Sequence, residues 1–154
     1  MELRPILIDE DKTKEIYRNP FCQTLFESYP AYYYKVGYNP PWIGYFVFRD
    51  EKVVGVGGFI SKPINGKVEI AYGTNPEFEN QGISSFTCSQ LISIARATEP
   101  DTTITAKTAP ELNASVKILQ KAGFQYTGVV QDDGIGDAWE WVLKQHSDQA
   151  GTKE

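Results

Sequence analysis

The sequence predicts an α/β (α+β) fold, with one mixed, mostly antiparallel central sheet, a parallel step in its middle and helices on both faces. Three observations carry this. Short alternating runs separated by polar turns fill the first half of the chain, which is the pattern of antiparallel hairpins. From residue 67 onward the periodicity changes to strand, helix, strand, helix, strand, the order that places strands in parallel or returns them across a sheet face. Finally, KVEIAYGTNPEFENQGISS (residues 67–85) runs a strand directly into a glycine-containing turn and a helix.

Taken in order, residues 3–8 read as a first strand, followed by a polar helix from about Asp11 and a second helical stretch over residues 21–27. Residues 43–48 and 53–60 flank the Arg49-Asp50-Glu51-Lys52 turn as a hairpin, and Ile64-Asn65-Gly66 supplies a second tight turn into the next strand. There Val68, Ile70 and Tyr72 alternate with Glu69, Ala71 and Gly73, the period of a half-buried strand, until Asn75-Pro76 ends it. A helix from about Ser84 to Thr98 carries Cys88, Leu91, Ile92 and Ala95 at helical spacing. Residues 102–107 form a strand. Asn113 and Ser115 open a helix bearing Val116, Leu119 and Ala122 that Gly123 closes. Residues 124–130 and 137–143 form the last two strands around a turn at 132–136, and the polar tail over 145–154 is expected to be disordered.

The Asn80-Gln81-Gly82 turn and the helix after it form an anion cradle, because unpaired backbone N–H groups of the turn and first helical turn converge on one point. A phosphate or pyrophosphate held there needs no cationic side chain. Together with PELNASVKILQKAGF further on, this segment resembles the GNAT acyltransferase superfamily, in the branch similar to ribosomal-protein N-acetyltransferases. The resemblance covers residues 52–143 well and the first fifty residues poorly. It implies a GNAT-like fold over residues 1–144 as a single acyltransferase domain, in which two central parallel strands splay apart to admit the pantetheine arm of acetyl-CoA. It further implies that Tyr72, Gly73 and Thr74 offer backbone contacts to that arm. Asn80, Gln81, Gly82, Ile83, Ser84 and Ser85 would hold the pyrophosphate, and Asn113 would reach the pyrophosphate or pantetheine, or else simply cap its helix. Within the turn, two positions depart from the family pattern. Glu79 stands where Gln or Arg is usual and places a negative charge beside the phosphates, and Ser84 replaces the closing Gly or Ala.

Composition bounds the function. With 154 residues the chain has the length of one domain, and 41% hydrophobic residues with three Trp, nine Tyr and eight Phe suffice for one packed core. A net charge of −5 without a Lys/Arg cluster argues against nucleic-acid binding. It suits a basic acceptor, although charge of this size is also ordinary for solubility. Cys22 and Cys88 are too few and too distant for a disulfide framework, and no His or Cys spacing suggests a metal. Neither a signal-peptide core nor a membrane-length apolar run is present, so a cytoplasmic protein without membrane attachment is expected, as monomer or homodimer.

Moving an acetyl group from a thioester to an amine requires a neutral amine and a route for protonating the departing thiolate. Glu69 lies on the strand face opposite Val68 and Ile70 and is the candidate base, since the resembling family often has a carboxylate there; the alternative is a solvated strand Glu. The Tyr that many GNAT enzymes use as the acid is replaced by Leu119, leaving Ser115 as the substitute implied by the ribosomal-protein branch, or as a residue of the first helical turn only. Tyr29, Tyr32, Tyr33, Tyr34, Tyr38, Trp42 and Tyr45 fall within a single short stretch; the resemblance implies that this region covers the acceptor side of the cleft and shapes an amine pocket, and the alternative is that the rings pack the first helices onto the sheet. Asp132, Asp133 and Asp137 resemble a calcium loop only superficially and read as a hairpin turn. The expectation is an N-acetyltransferase using acetyl-CoA, with a peptide N-terminus or small-molecule amine as acceptor. The rival is a non-catalytic acyl-CoA-binding module of the same fold, favoured by Glu79 and Leu119.

Overall fold

A computed structural model describes residues 1–144; the expected tail from 145, with His146, lies outside the described residues. The elements are β1 (Glu2–Pro5), α1 (Pro20–Val36), β2 (Gly44–Arg49), β3 (Lys52–Phe59), β4 (Lys67–Thr74), α2 (Ile83–Thr98), β5 (Thr103–Thr108), α3 (Ala114–Lys121), β6 (Gln125–Asp132) and β7 (Gly136–Leu143). They build a seven-stranded sheet in the order β1-β2-β3-β4-β5-β7-β6. β4 and β5 pair in parallel and every other neighbouring pair is antiparallel. The mixed sheet with a central parallel step is therefore the one expected from the sequence.

The two hairpins form because their turns accept positive φ at both central positions. Asp50 and Glu51 have φ of 51° and 60°, and Asn65 and Gly66 have 53° and 75°, the backbone twist that matches right-handed strands. One face of the sheet packs against α2 and α3 through Ile70, Leu91, Ala95, Ile104, Leu119 and Trp141. The other packs against α1 through Tyr17, Phe26, Phe46 and Phe48, with the Tyr17 and Phe26 rings edge to face at 4.9 Å. On the first face Gly57 lets α2 lie close, since a Cβ there would stand 2.3 Å from the Thr87 methyl group.

Three expectations are corrected. No helix starts at Asp11. Its carboxylate instead accepts from the Thr13 N–H (3.0 Å) and hydroxyl, a local turn that competes with helix, and only a 3-10 turn at Glu15–Tyr17 follows. The expected helix over 21–27 starts at Pro20 and runs to Val36, passing through Pro30. Asn19 caps its start by accepting from Cys22 N–H at 2.8 Å, and buried Phe26 and Tyr33 anchor it on both sides of the proline. β1 ends at Pro5 instead of residue 8. Other boundaries move by one or two residues. Among the described residues no helix is long and apolar enough to cross a membrane.

Candidate active site

The parallel pair creates the site by coming apart. β4 and β5 are in register from Lys67↔Thr103 to Ile70↔Ala106, after which β4 continues to Thr74 and β5 to Thr108 with no further pairing between them. The backbone of Tyr72, Gly73 and Thr74 on that side has lost its sheet partner. Unpaired strand backbone of this kind is available to an extended amide-bearing ligand.

Facing this gap, a cleft of about 410 Å³ gathers Tyr72, Gly73 and Thr74 of β4, Glu79 and Asn80 of the turn, Gly82 to Ser85 at the start of α2, and Ser115 with Ile118 of α3. Gly82 is the α2 N-cap in the left-handed conformation, φ 75° and ψ 13°, and no side chain caps the helix. The first N–H groups of α2 are left for a ligand, with the positive end of the helix dipole behind them. A Cβ built on Gly82 would meet nothing within 4 Å, so the space over the turn is open. Thr74 and Ser84 hydroxyls are hydrogen-bonded to each other at 2.6 Å, which leaves one hydroxyl proton of the pair as a donor at the rim. This donor set fits a pyrophosphate, with Glu79, exposed at the edge, as its one electrostatic opponent.

Of the ten residues expected to contact the cofactor, eight line the cleft, and Gln81 and Asn113 do not. The Gln81 side chain accepts from Arg49 Nη2 at 2.7 Å, which draws it away toward the β2–β3 hairpin. Asn113 is the N-cap of α3, accepting from Val116 N–H at 3.1 Å. Leu119 is fully buried in the core.

Glu69 lies on the opposite face of the sheet, together with Ala71 and Gly73 by strand alternation. Its carboxylate is a quarter exposed and pairs with Lys107 Nζ at 3.4 Å; Lys107 in turn reaches Asp132 at 3.5 Å. Burial raises the Glu69 pKa, with Asp132 and Glu140 acting in the same direction, while Lys107 holds it down. The same burial opposes the charge on Lys107, and its two acidic neighbours outweigh that and raise its pKa. A carboxylate whose pKa is raised in this way, beside a strand gap, is a stronger proton acceptor than an ordinary exposed one. Sequence reading missed Lys107, because β4 and β5 meet only through a long crossover and neither residue carries a local signal of the other.

The aromatic stretch divides its work. Tyr33, Trp42 and Tyr45 are buried, Tyr34 is 94% exposed, and Tyr29 and Tyr32 line a second cavity of about 370 Å³ between α1 and strands β3 and β4. Tyr33 donates to the Ile6 carbonyl at 2.7 Å and Tyr32 donates to that of Phe59. Both Cys22 and Cys88 are buried free thiols, and burial pushes Cys88 up to about 11. Among the described residues no group of His, Cys, Asp or Glu is arranged to hold a metal. The Asp132 carboxylate accepts from the N–H groups of Gly134 and Ile135, as a hairpin turn requires.

Known structures share this architecture. The chain superposes on a structure of RimL, described as a ribosomal L7/L12 alpha-N-protein acetyltransferase in complex with coenzyme A, with a TM-score of 0.63 and 18% identity over 80% of this chain and 71% of that one. A putative acetyltransferase from Acinetobacter baylyi gives 0.66 and 15% over 93% and 92%. A ribosomal-protein-S5-alanine acetyltransferase from Vibrio fischeri gives 0.61 and 16% over 89% and 78%. No curated protein sequence matches the chain significantly. At such identities the superpositions establish the fold. Membership rests on the sequence match of residues 3–125 to the acetyltransferase (GNAT) domain, and on that match the chain belongs to the GNAT family of acetyltransferases.

Proposed function

We propose that the protein is an acetyl-CoA-dependent N-acetyltransferase acting on a primary amine, either a peptide N-terminus or a small molecule. The observation that carries this reading is the meeting of the β4–β5 gap with the uncapped α2 N-terminus in one cleft. RimL, bound to coenzyme A in one of the matching structures, is described as acting on a protein amine, which supports both the donor and the acceptor class. Two buried free thiols accord with a reducing, cytoplasmic setting. We take residues 1–144 as the single catalytic domain.

Acetyl-CoA supplies an activated acyl group as a thioester. The N–H groups of Ile83, Ser84 and Ser85 with the Gly82 turn hold its pyrophosphate, and the backbone of Tyr72, Gly73 and Thr74 aligns its arm through the gap. Glu69, on the far face, accepts the proton that the amine sheds on attack, directly or through one water. Ser115, in the cofactor cleft, donates its hydroxyl proton to the departing sulfur and recovers one from solvent. The two proton-transfer groups thus work from opposite faces of the sheet, and the gap joins them.

The test is thiol release from acetyl-CoA over a panel of amines and short peptides. Amine-dependent release, with the acetyl group found on nitrogen by mass spectrometry, is the expected result. Binding of acetyl-CoA without transfer to any acceptor would instead support the non-catalytic module.

A further inference from the structure

Ala71 occupies a central strand, with β3 and β5 on either side, yet it is exposed. Such a position is normally roofed by a helix or loop. Here a cavity lies between α1 and β4, with Tyr29 and Tyr32 on one side and exposed Ala71 with Gly73 on the other. The missing roof is also missing bulk. A Cβ on Gly73 would stand 3.9 Å from Val56 Cγ1 and meet nothing else within 4 Å, so this floor is small by residue choice and not by crowding.

Two features tie this cavity to the reaction site. It shares Tyr72 and Gly73 with the cofactor cleft, although the two lie on opposite faces of the sheet, because the strand backbone at the gap belongs to both. Its lining contains no Asp, Glu, Lys or Arg. Burial keeps the phenols neutral, with Tyr32 pushed up to about 12 and Tyr29 higher. Glu69 lies on this face of β4, two residues before Ala71 and so roughly 7 Å along the strand.

We propose that this cavity is the acceptor's side-chain subsite and that it selects primary amines bearing a neutral apolar or aromatic group next to the amine. The inference rests on the acetyltransferase reading and deepens it. The apolar group lies over Ala71 and Gly73 against the Tyr29 and Tyr32 rings, while the amine points along the strand toward Glu69 and the gap. A charged side group is disfavoured because it would lose water without gaining a partner. Gly or Ser next to the amine leaves the cavity unfilled. Burying one Leu-sized side chain is worth about 1.5–3 kcal/mol, which corresponds to roughly a tenfold to hundredfold preference.

The experiment compares amides of leucine, phenylalanine, glycine, serine, aspartate and lysine as acceptors by kcat/KM, and measures binding of the leucine and glycine amides to the protein with coenzyme A by calorimetry. Leucine and phenylalanine amides are expected to exceed the others by at least about tenfold in both measurements. Ala71→Leu fills the cavity and should bring the leucine-to-glycine ratio close to one. Ser28→Trp, on the exposed surface of α1 at the cavity rim, should do the same without touching the sheet, in case the strand variant folds poorly. Turnover without apolar preference overturns this inference and leaves the acetyltransferase reading standing. Preferential binding of leucine amide, lost in both variants, with no turnover of any amine would leave an apolar side-chain pocket but overturn the acetyltransferase reading, and with it the pocket's role as an acceptor subsite. Absence of both preference and turnover removes both.

Discussion

Replacing Gly82 by Val separates what the turn does for the fold from what it does for the cofactor. Gly82 has φ 75°, a conformation that costs an ordinary L-residue about 1–2 kcal/mol and a β-branched one more. No clash is added, since a Cβ there meets nothing within 4 Å. The stability loss is therefore set by backbone strain, and for a chain of this size each kcal/mol lowers Tm by about 2–4 °C. Gly82→Val should remain folded at 25 °C. The cradle suffers more, because the valine methyl groups enter the space where a phosphate must approach the backbone. Loss of one charge-assisted hydrogen bond, worth about 1.5–3 kcal/mol, weakens acetyl-CoA binding roughly tenfold to hundredfold. Gly82→Asn provides the control: Asn tolerates the left-handed region, so Tm should recover while affinity stays low. Thermal unfolding and calorimetric titration read the two effects independently. A folded Gly82→Val protein that binds acetyl-CoA as tightly as the wild type would refute the assignment of the pyrophosphate to this turn.

The other predictions concern charge. Glu79→Gln and Glu79→Arg should tighten acetyl-CoA binding, by about 1 kcal/mol for the neutral change and more for Arg, which adds a bidentate partner; a fall in affinity would mean that Glu79 makes a favourable contact. Glu69→Gln should lower kcat by roughly a hundredfold or more with acetyl-CoA affinity retained, and a near-wild-type kcat would return Glu69 to the role of a solvated strand carboxylate. Lys107→Met removes the one group that holds the Glu69 pKa down and leaves it facing Asp132 and Glu140. Glu69 accepts a proton only when ionised, so the acid limb of the kcat/KM profile should move to higher pH; a stationary limb would place proton uptake elsewhere.

What could be read from the sequence was what its local patterns encode. Strand alternation from Val68 to Tyr72, the Gly82 turn and the Asn113 cap each depend on residues within a few positions of one another, and eight of the ten expected cofactor contacts line one cleft for that reason. The rest depends on residues far apart in the chain. The Glu69–Lys107 pair exists because β4 and β5 lie side by side across a whole helix, and the Arg49–Gln81 bond spans 32 positions. The aromatic run was ambiguous for a related reason: its rings follow helical spacing, so Tyr33 turns into the core while neighbouring Tyr34 turns to water, and only the sheet beneath decides which ring lines a cavity. Asp11 was misread as a helix start because its carboxylate serves a tight turn equally well.

On the proposed reading, cofactor binding in this chain falls to main-chain groups, and that explains how the departures from the family pattern can be accommodated. Arg49 lies over the Phe78 ring at 5.6 Å and bonds Gln81, so the turn is tethered to the β2–β3 hairpin through side chains that point away from the cleft. Asn113 is likewise spent on its own helix. What remains for phosphate is the left-handed Gly82, the N–H groups behind it and the Thr74–Ser84 hydroxyl pair. Backbone donors fixed by φ and ψ do not change when a neighbouring side chain does, so Glu79 weakens the electrostatics without dismantling the geometry. The same logic holds at the gap. Tyr72 and Gly73 line two cavities on opposite faces because their contribution is backbone to one and absence of bulk to the other, and in the proposed reaction the chemistry passes through the sheet where the two parallel strands part.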